Sequence, residues 1–155
     1  MTIAFAGHSF ISSSDIVKKA VKEEIIKNII NSESVTFYLG GYGDFDKICA
    51  CVCKELKKEN SKILVAYVAP YISLSEQAKI KEMLDCGLCD TCIYPPIEKV
   101  PPKYAILKRN EWMMTNSDLV IACVNCKYGG AYKSLQMAKR KKKKIINVGA
   151  LENEI

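Results

Sequence analysis

The sequence predicts an α/β fold of three layers: a mostly parallel sheet of about five to six strands with helices on both faces. Two patterns lead there. Short apolar runs alternate with longer amphipathic runs from one end of the chain to the other. The amphipathic runs are long enough for right-handed crossovers between parallel strands. One strand-like run, 62–69, is apolar nearly throughout, as a strand buried on both faces is.

In chain order, the first strand is expected over 2–6 and the first helix over 14–30. Ile16, Val17, Ala20, Val21, Ile25 and Ile29 form its apolar stripe, and residues 12–15 supply capping side chains. A second strand follows over 35–39. The helix over 45–59 places Phe45, Ile48, Cys49, Val52 and Leu56 on one face. After the strand 62–69 come a helix over 74–85 and a short strand over 92–94. Pro95-Pro96 and Pro101-Pro102 bracket a loop, because proline breaks ladders and sets extended backbone. A helix over 103–116, a strand over 118–124, a helix over 131–142 and a strand over 144–148 complete the set. Residues 1–150 are read as one Rossmann-like domain, with 151–155 as a frayed tail.

Composition narrows the function. The 155 residues are 49% hydrophobic and 26% charged. No apolar run approaches the ~20 residues of a membrane span, so no membrane partner is expected. The first six residues lack the basic start of a secretory leader, and a cytoplasmic location is expected. The net charge of +6 owes much to one run, Lys139 to Lys144, at the end of the last predicted helix. Cations there offset the helix dipole. No aromatic residue is interleaved with them, so a nucleic-acid partner is disfavoured. The eight cysteines fall in three groups. Cys49, Cys51 and Cys53 spread around a helix and cannot share a metal. Cys86/Cys89 and Cys123/Cys126 have zinc-type spacing, but Cys123 reads as a core residue. No metal and no cofactor are expected.

Function is expected in the loops that follow the strands, which a parallel sheet gathers on one edge. They carry Gly7, His8 and Ser9; Gly40, Gly41, Tyr42 and Asp46; Pro70 and Tyr71; and Lys127, Gly129, Gly130, Ala131 and Tyr132. Glycines there let backbone N–H groups approach an anion, and a helix N-terminus adds positive charge.

In these loops the sequence resembles the SLOG superfamily of Rossmann-like proteins, specifically its YspA-like branch of small bacterial and phage proteins. These are distant relatives of the lonely-guy phosphoribohydrolases and of DprA. The resemblance rests on Gly7-His8, Gly40-Gly41 with Asp46, Pro70-Tyr71, Arg109-Asn110 with Met113, Ser117-Asp118 and Gly129-Gly130-Ala131. It covers about residues 2–148. It implies a nucleotide or nucleotide-derived ligand at these loops, with Arg109 and Asn110 added to the site. Two departures matter. Asp44 stands where the family has glycine, and a carboxylate would repel phosphate there. Ser134 or a neighbour stands where glycosidic-bond-cleaving relatives carry a glutamate.

The expectation is therefore a ligand-binding sensor or sequestering protein, without turnover. Arg109 suits a phosphate by its planar guanidinium. His8 suits a phosphate contact or a proton transfer, and the loop tyrosines suit stacking on a base. The alternatives are an N-glycoside hydrolase or transferase acting on a nucleoside monophosphate, with Glu111 or Asp46 as its base or nucleophile, and a nonspecific nucleic-acid binder. Trp112, Met113 and Met114 read as packing or an oligomer contact, and a homo-oligomer is expected.

Overall fold

A computed structural model describes residues 1–149. Its elements are β1 (Thr2–Gly7), α1 (Ser14–Ile29), β2 (Val35–Leu39), α2 (Gly43–Glu59), β3 (Ile63–Val68), α3 (Leu74–Asp85), β4 (Thr91–Ile93), α4 (Pro102–Thr115), β5 (Leu119–Cys123), α5 (Gly129–Arg140) and β6 (Lys144–Asn147). The six strands form one sheet in the order β4-β3-β2-β1-β5-β6, and every pairing is parallel. The tail 151–155 lies outside the described residues.

The strand order decides which helix goes where. From β1 the chain steps outward through β2 and β3 to β4. Right-handed crossovers put α1, α2 and α3 on one face. It then returns across the sheet to β5 and β6, which puts α4 and α5 on the other. Two apolar clusters match these layers. The larger packs Val21, Ile25, Phe45, Cys49, Leu56 and Ile80 against Ile3, Phe37 and Ile121. The smaller packs Met113, Met114, Leu135 and Ala138 against Ala4, Val120 and Ala122. β5, flanked by β1 and β6, is buried at all five positions, as its unbroken apolar run requires.

The expected elements are all present, with ends that shift by one or two residues. Two of those shifts bear on function. α2 and α5 start at Gly43 and Gly129, two residues earlier than the periodicity indicates. Gly129 and Gly130 are thus the first two helical residues of α5, not a loop before it. Ile16 is a correction: it is 73% exposed. It lies nine residues before Ile25, which at 3.6 residues per turn is about half a turn out of phase with the buried stripe. The two zinc-type cysteine pairs stand apart. Cys86 and Cys89 precede β4 at the amino edge of the sheet, whereas Cys123 ends β5 at the carboxyl edge. Among the described residues no three His, Cys, Asp or Glu side chains converge, and no helix is long and apolar enough to cross a membrane.

Candidate functional site

At the carboxyl edge, β1, β2 and β5 present their loops next to one another. Between them lies a cleft of about 350 Å³. Its walls include Gly7, His8, Ser9, Gly40, Tyr42, Asp46, Arg109, Asn110, Gly129, Gly130 and Ala131, so eleven of the sequence-expected residues meet at one place. Phe5, Ala6, Ile106 and Met113 complete its apolar walls, with Tyr128 and Ser134 beside the second glycine pair. Pro70 and Tyr71 line a separate, neighbouring cleft of about 280 Å³ between β3, β4 and the start of α4. Gly41, Lys127, Tyr132 and Glu111 line neither. Lys127 is exposed and Tyr132 is half-buried against the smaller core. Glu111 is paired with Lys108 at 3.0 Å on the outer side of α4.

The two glycine-loop helices differ at their N-termini, and that difference decides where an anion can sit. At α2 the orphan N–H groups already have anionic company. Asp44 and Asp46 both lie in its first turn. The Asp46 carboxylate accepts the Tyr42 amide at 2.8 Å, and Asp44 accepts the Ile11 amide at 3.1 Å. Asp44 is therefore turned toward the loop after β1. Burial pushes the Asp46 carboxyl upward, against the pull of that amide and of the Arg109 and Lys79 charges. At α5 there is no acid in the first turn and no side-chain cap. A Cβ built on Gly129 or Gly130 meets nothing within 4 Å. That helix end is open, positive and unclaimed.

Arg109 is not the exposed helix arginine its place in α4 suggests. It is 1% exposed. Its Nη1 donates to the carbonyls of Gly40 at 2.8 Å and Val68 at 2.7 Å, and its Nε donates to Asn110 Oδ1 at 2.9 Å. It ties α4 to the ends of β2 and β3, while its charge stays in the cleft wall. His8 also joins elements: Nε2 accepts the Asn125 amide at 3.1 Å and lies 3.5 Å from Cys126 Sγ. That links the loops after β1 and β5.

Tyr42 is held by a network that the sequence does not announce. Its hydroxyl donates to Glu76 Oε2 at 3.1 Å, and the Tyr67 hydroxyl donates to Glu76 Oε1. Glu76, 5% exposed, is thus a buried carboxylate with two phenolic donors. Lys79 donates to the Gly41 carbonyl at 3.0 Å and sits 3.9 Å from the centre of the Tyr42 ring. Burial and the Glu76 charge push the Tyr42 phenol up to about 12. The same causes push Tyr67 upward, burial first. Burial pulls the Lys79 ammonium down. Gly41, at φ +72°, needs glycine twice over: for its backbone, and because a Cβ would lie 2.7 Å from the Tyr67 ring. In sequence, Ser73 and Glu76 read as a capping pair. Ser73 does accept the Glu76 amide, but the carboxylate turns inward instead.

No protein-family model and no curated protein matches the chain. Solved structures do. DNA processing protein A from Helicobacter pylori, described for its single-stranded DNA binding mode, superimposes with a TM-score of 0.62 at 18% identity. The match covers 99% of this chain and 67% of that one. DprA from Streptococcus pneumoniae superimposes with a TM-score of 0.64 at 11% identity, covering 99% of this chain and 52% of that one. The shared feature at these identities is the fold: a Rossmann-like α/β sheet of the DprA kind, which agrees with the relationship to DprA expected above.

Proposed function

We propose that the larger cleft binds a nucleotide unit, phosphate toward the first turn of α5 and sugar and base toward Tyr42 and Asp46. One observation carries this reading: of the two glycine-bearing helix starts on the cleft, one is occupied by the chain's own carboxylates and the other is bare. A phosphate is repelled by the first and attracted by the second. Asp46 then suits sugar hydroxyls, as an acceptor beside the Tyr42 amide. The motifs quoted above support, as part of the same proposal, a place in the YspA-like branch of the SLOG superfamily.

Binding without turnover fits the walls of the cleft. Asp46 is the one acid among its lining residues, and Glu111 faces away toward Lys108. Released free base, sought by chromatography after incubation with nucleoside monophosphates, should be absent.

The test of binding is Gly130→Ala. Its Cβ meets no protein atom, and its φ is not in the left-handed region. The variant should melt no lower than the parent, since alanine suits a helix better than glycine. It should nevertheless lose at least tenfold in affinity for a nucleoside monophosphate, because the methyl group stands where the phosphate docks. Unchanged affinity would overturn the reading.

A single strand of nucleic acid is the second reading, favoured by the single-stranded DNA binding described for the Helicobacter pylori neighbour. The expectation that set nucleic acid aside is weakened accordingly. Phe10 and Tyr128, each 76% exposed beside the loops of the cleft, are rings on which bases could stack. A homo-oligomer belongs to the same proposal. Only two helices cover the second face of the sheet, and Leu64 there is 44% exposed on the same side as Tyr38 and Trp112. Sedimentation of the parent and of Leu64→Lys tests it.

A further inference from the structure

A single nucleotide seated in the first cleft as proposed leaves the neighbouring cleft unfilled. It opens at the same sheet edge, where β3 and β4 end, and holds about 280 Å³. Tyr71, Tyr94, Pro95, Ile97, Val100 and Pro102 give it flat, mostly apolar walls, and Glu98 is its one acid. Such walls accept a planar, weakly polar group with π-faces.

Three observations join it to the first cleft. α4 borders both: Pro102 and Ala105 line the second, and Ile106, Arg109, Asn110 and Met113 line the first. Ala105 and Arg109 are one turn apart, about 6 Å along the helix. Tyr42, in the first cleft, lies near enough to Tyr71, in the second, for the two phenols to interact electrostatically. The Tyr71 hydroxyl donates to the Pro102 carbonyl at 3.5 Å, joining two lining residues of the second cleft, one after β3 and one at the start of α4.

Charge repeats from one cleft to the next. α1, α2 and α3 each carry an acid in the first turn, whereas α4, which borders both clefts, and α5, whose start lies on the first, carry none. Lys103 stands in the first turn of α4. Both clefts thus combine a planar-group surface with a positive helix end.

We infer that the ligand has two nucleobases joined through phosphate, the second base lying in the cleft of Tyr71 and Tyr94. This rests on the nucleotide reading of the first cleft. A 3′–5′ phosphodiester link and a 5′–5′ pyrophosphate link present the same pair of bases, and titration with each tells the two apart.

The experiment is calorimetric titration of the full chain with adenosine monophosphate, with the 5′-phosphorylated adenine dinucleotide and with the pyrophosphate-linked diadenosine. One of the two-base ligands should bind at least about tenfold tighter than the monophosphate, the scale of one base stacked on an aromatic ring. Tyr71→Ala should remove that advantage while leaving monophosphate affinity within about twofold. Tyr94→Ala, at a 48% exposed position that tolerates truncation, should reduce it independently should Tyr71→Ala fold poorly. Two-base ligands no tighter than the monophosphate would overturn the inference and leave the first-cleft reading standing. So would an advantage that survives both substitutions. Absence of binding by all three ligands would instead remove the reading of the first cleft, and the inference with it.

Discussion

Replacing Arg109 by methionine would leave the Gly40 and Val68 carbonyls without their charged donor. Hydrogen bonds to charged groups contribute about 1.5–3 kcal/mol each. Arg109→Met should therefore lower stability by about 3 kcal/mol and the thermal midpoint by about 6–12 °C. Lysine should recover less than half, since its side chain ends about one bond short of the Nη1 that serves both carbonyls and has no counterpart of the Nε that donates to Asn110. Urea denaturation reads both. The tyrosines give a second test. Tyr42 is raised from 10.0 to about 12, and Tyr67, also raised, is fully buried. A raised phenol means that the folded chain holds its proton where the unfolded chain has lost it. The associated stability is complete below pH 10 and falls as pH climbs toward 12. Tyr67→Phe should flatten that fall, seen as a smaller loss of midpoint between pH 9 and 11 than in the parent, with the remainder left to Tyr42 and the other raised phenols and buried thiols. At this scale the sequence shows position better than role. Arg109 and Asp46 could be assigned to the site from their motifs. That Arg109 is spent on carbonyls and Asp46 on an amide could not, because both partners are main-chain groups supplied by the fold. Glu76 carries only the local signature of a helix cap and Tyr67 that of a buried strand, since their pairing exists only once α3 packs beside β3.

Helix ends show the same division between what is local and what is tertiary. α3 and α5 close alike. After α3, Gly87 donates to Leu84 and Leu88 donates to Met83, with Gly87 at φ +73°. After α5, Lys142 donates to Lys139 and Lys143 donates to Ala138, with Lys142 at φ 55°. Both are Schellman closures, but one puts a lysine where glycine is favoured. A left-handed residue with a Cβ costs about 1 kcal/mol. Lys142→Gly should accordingly raise stability by about 1 kcal/mol, measurable as a shift in the urea midpoint at constant slope. The lysine run thus has a local task in ending α5, legible from its position before an apolar strand. Strand and helix identities were legible for the same reason: each buries a face with its own period. The starts of α2 and α5 were misplaced by two residues because glycine carries no periodic signal and depresses helix propensity. Those first turns hold the glycine amides on which an anion site depends, so the error fell on the part of each helix nearest the function.

Across the whole molecule, the lysine run and the cleft sit at opposite ends of α5. The helix starts at the carboxyl edge of the sheet and ends at the amino edge, and its 12 residues separate the two by about 18 Å. That exceeds the Debye length of about 8 Å at physiological salt. The run therefore cannot contribute to the binding of a ligand small enough to fit the cleft, yet it can hold the backbone of a strand long enough to wrap around. The two readings of function separate cleanly here. Changing Lys141, Lys142 and Lys143 to glutamine should leave the affinity for a mononucleotide or dinucleotide within twofold. Should a long single strand bind, the slope of log affinity against log salt should become shallower by about 0.7 for each phosphate that no longer meets a lysine, about 2 in all. A strand whose salt slope does not change in the triple variant would touch the cleft edge alone. A dinucleotide that weakens tenfold would place the charge run within reach of the cleft, contrary to the direction of α5. Measuring both ligands on one variant thus assigns the net charge of +6 either to closing a helix or to gripping a strand.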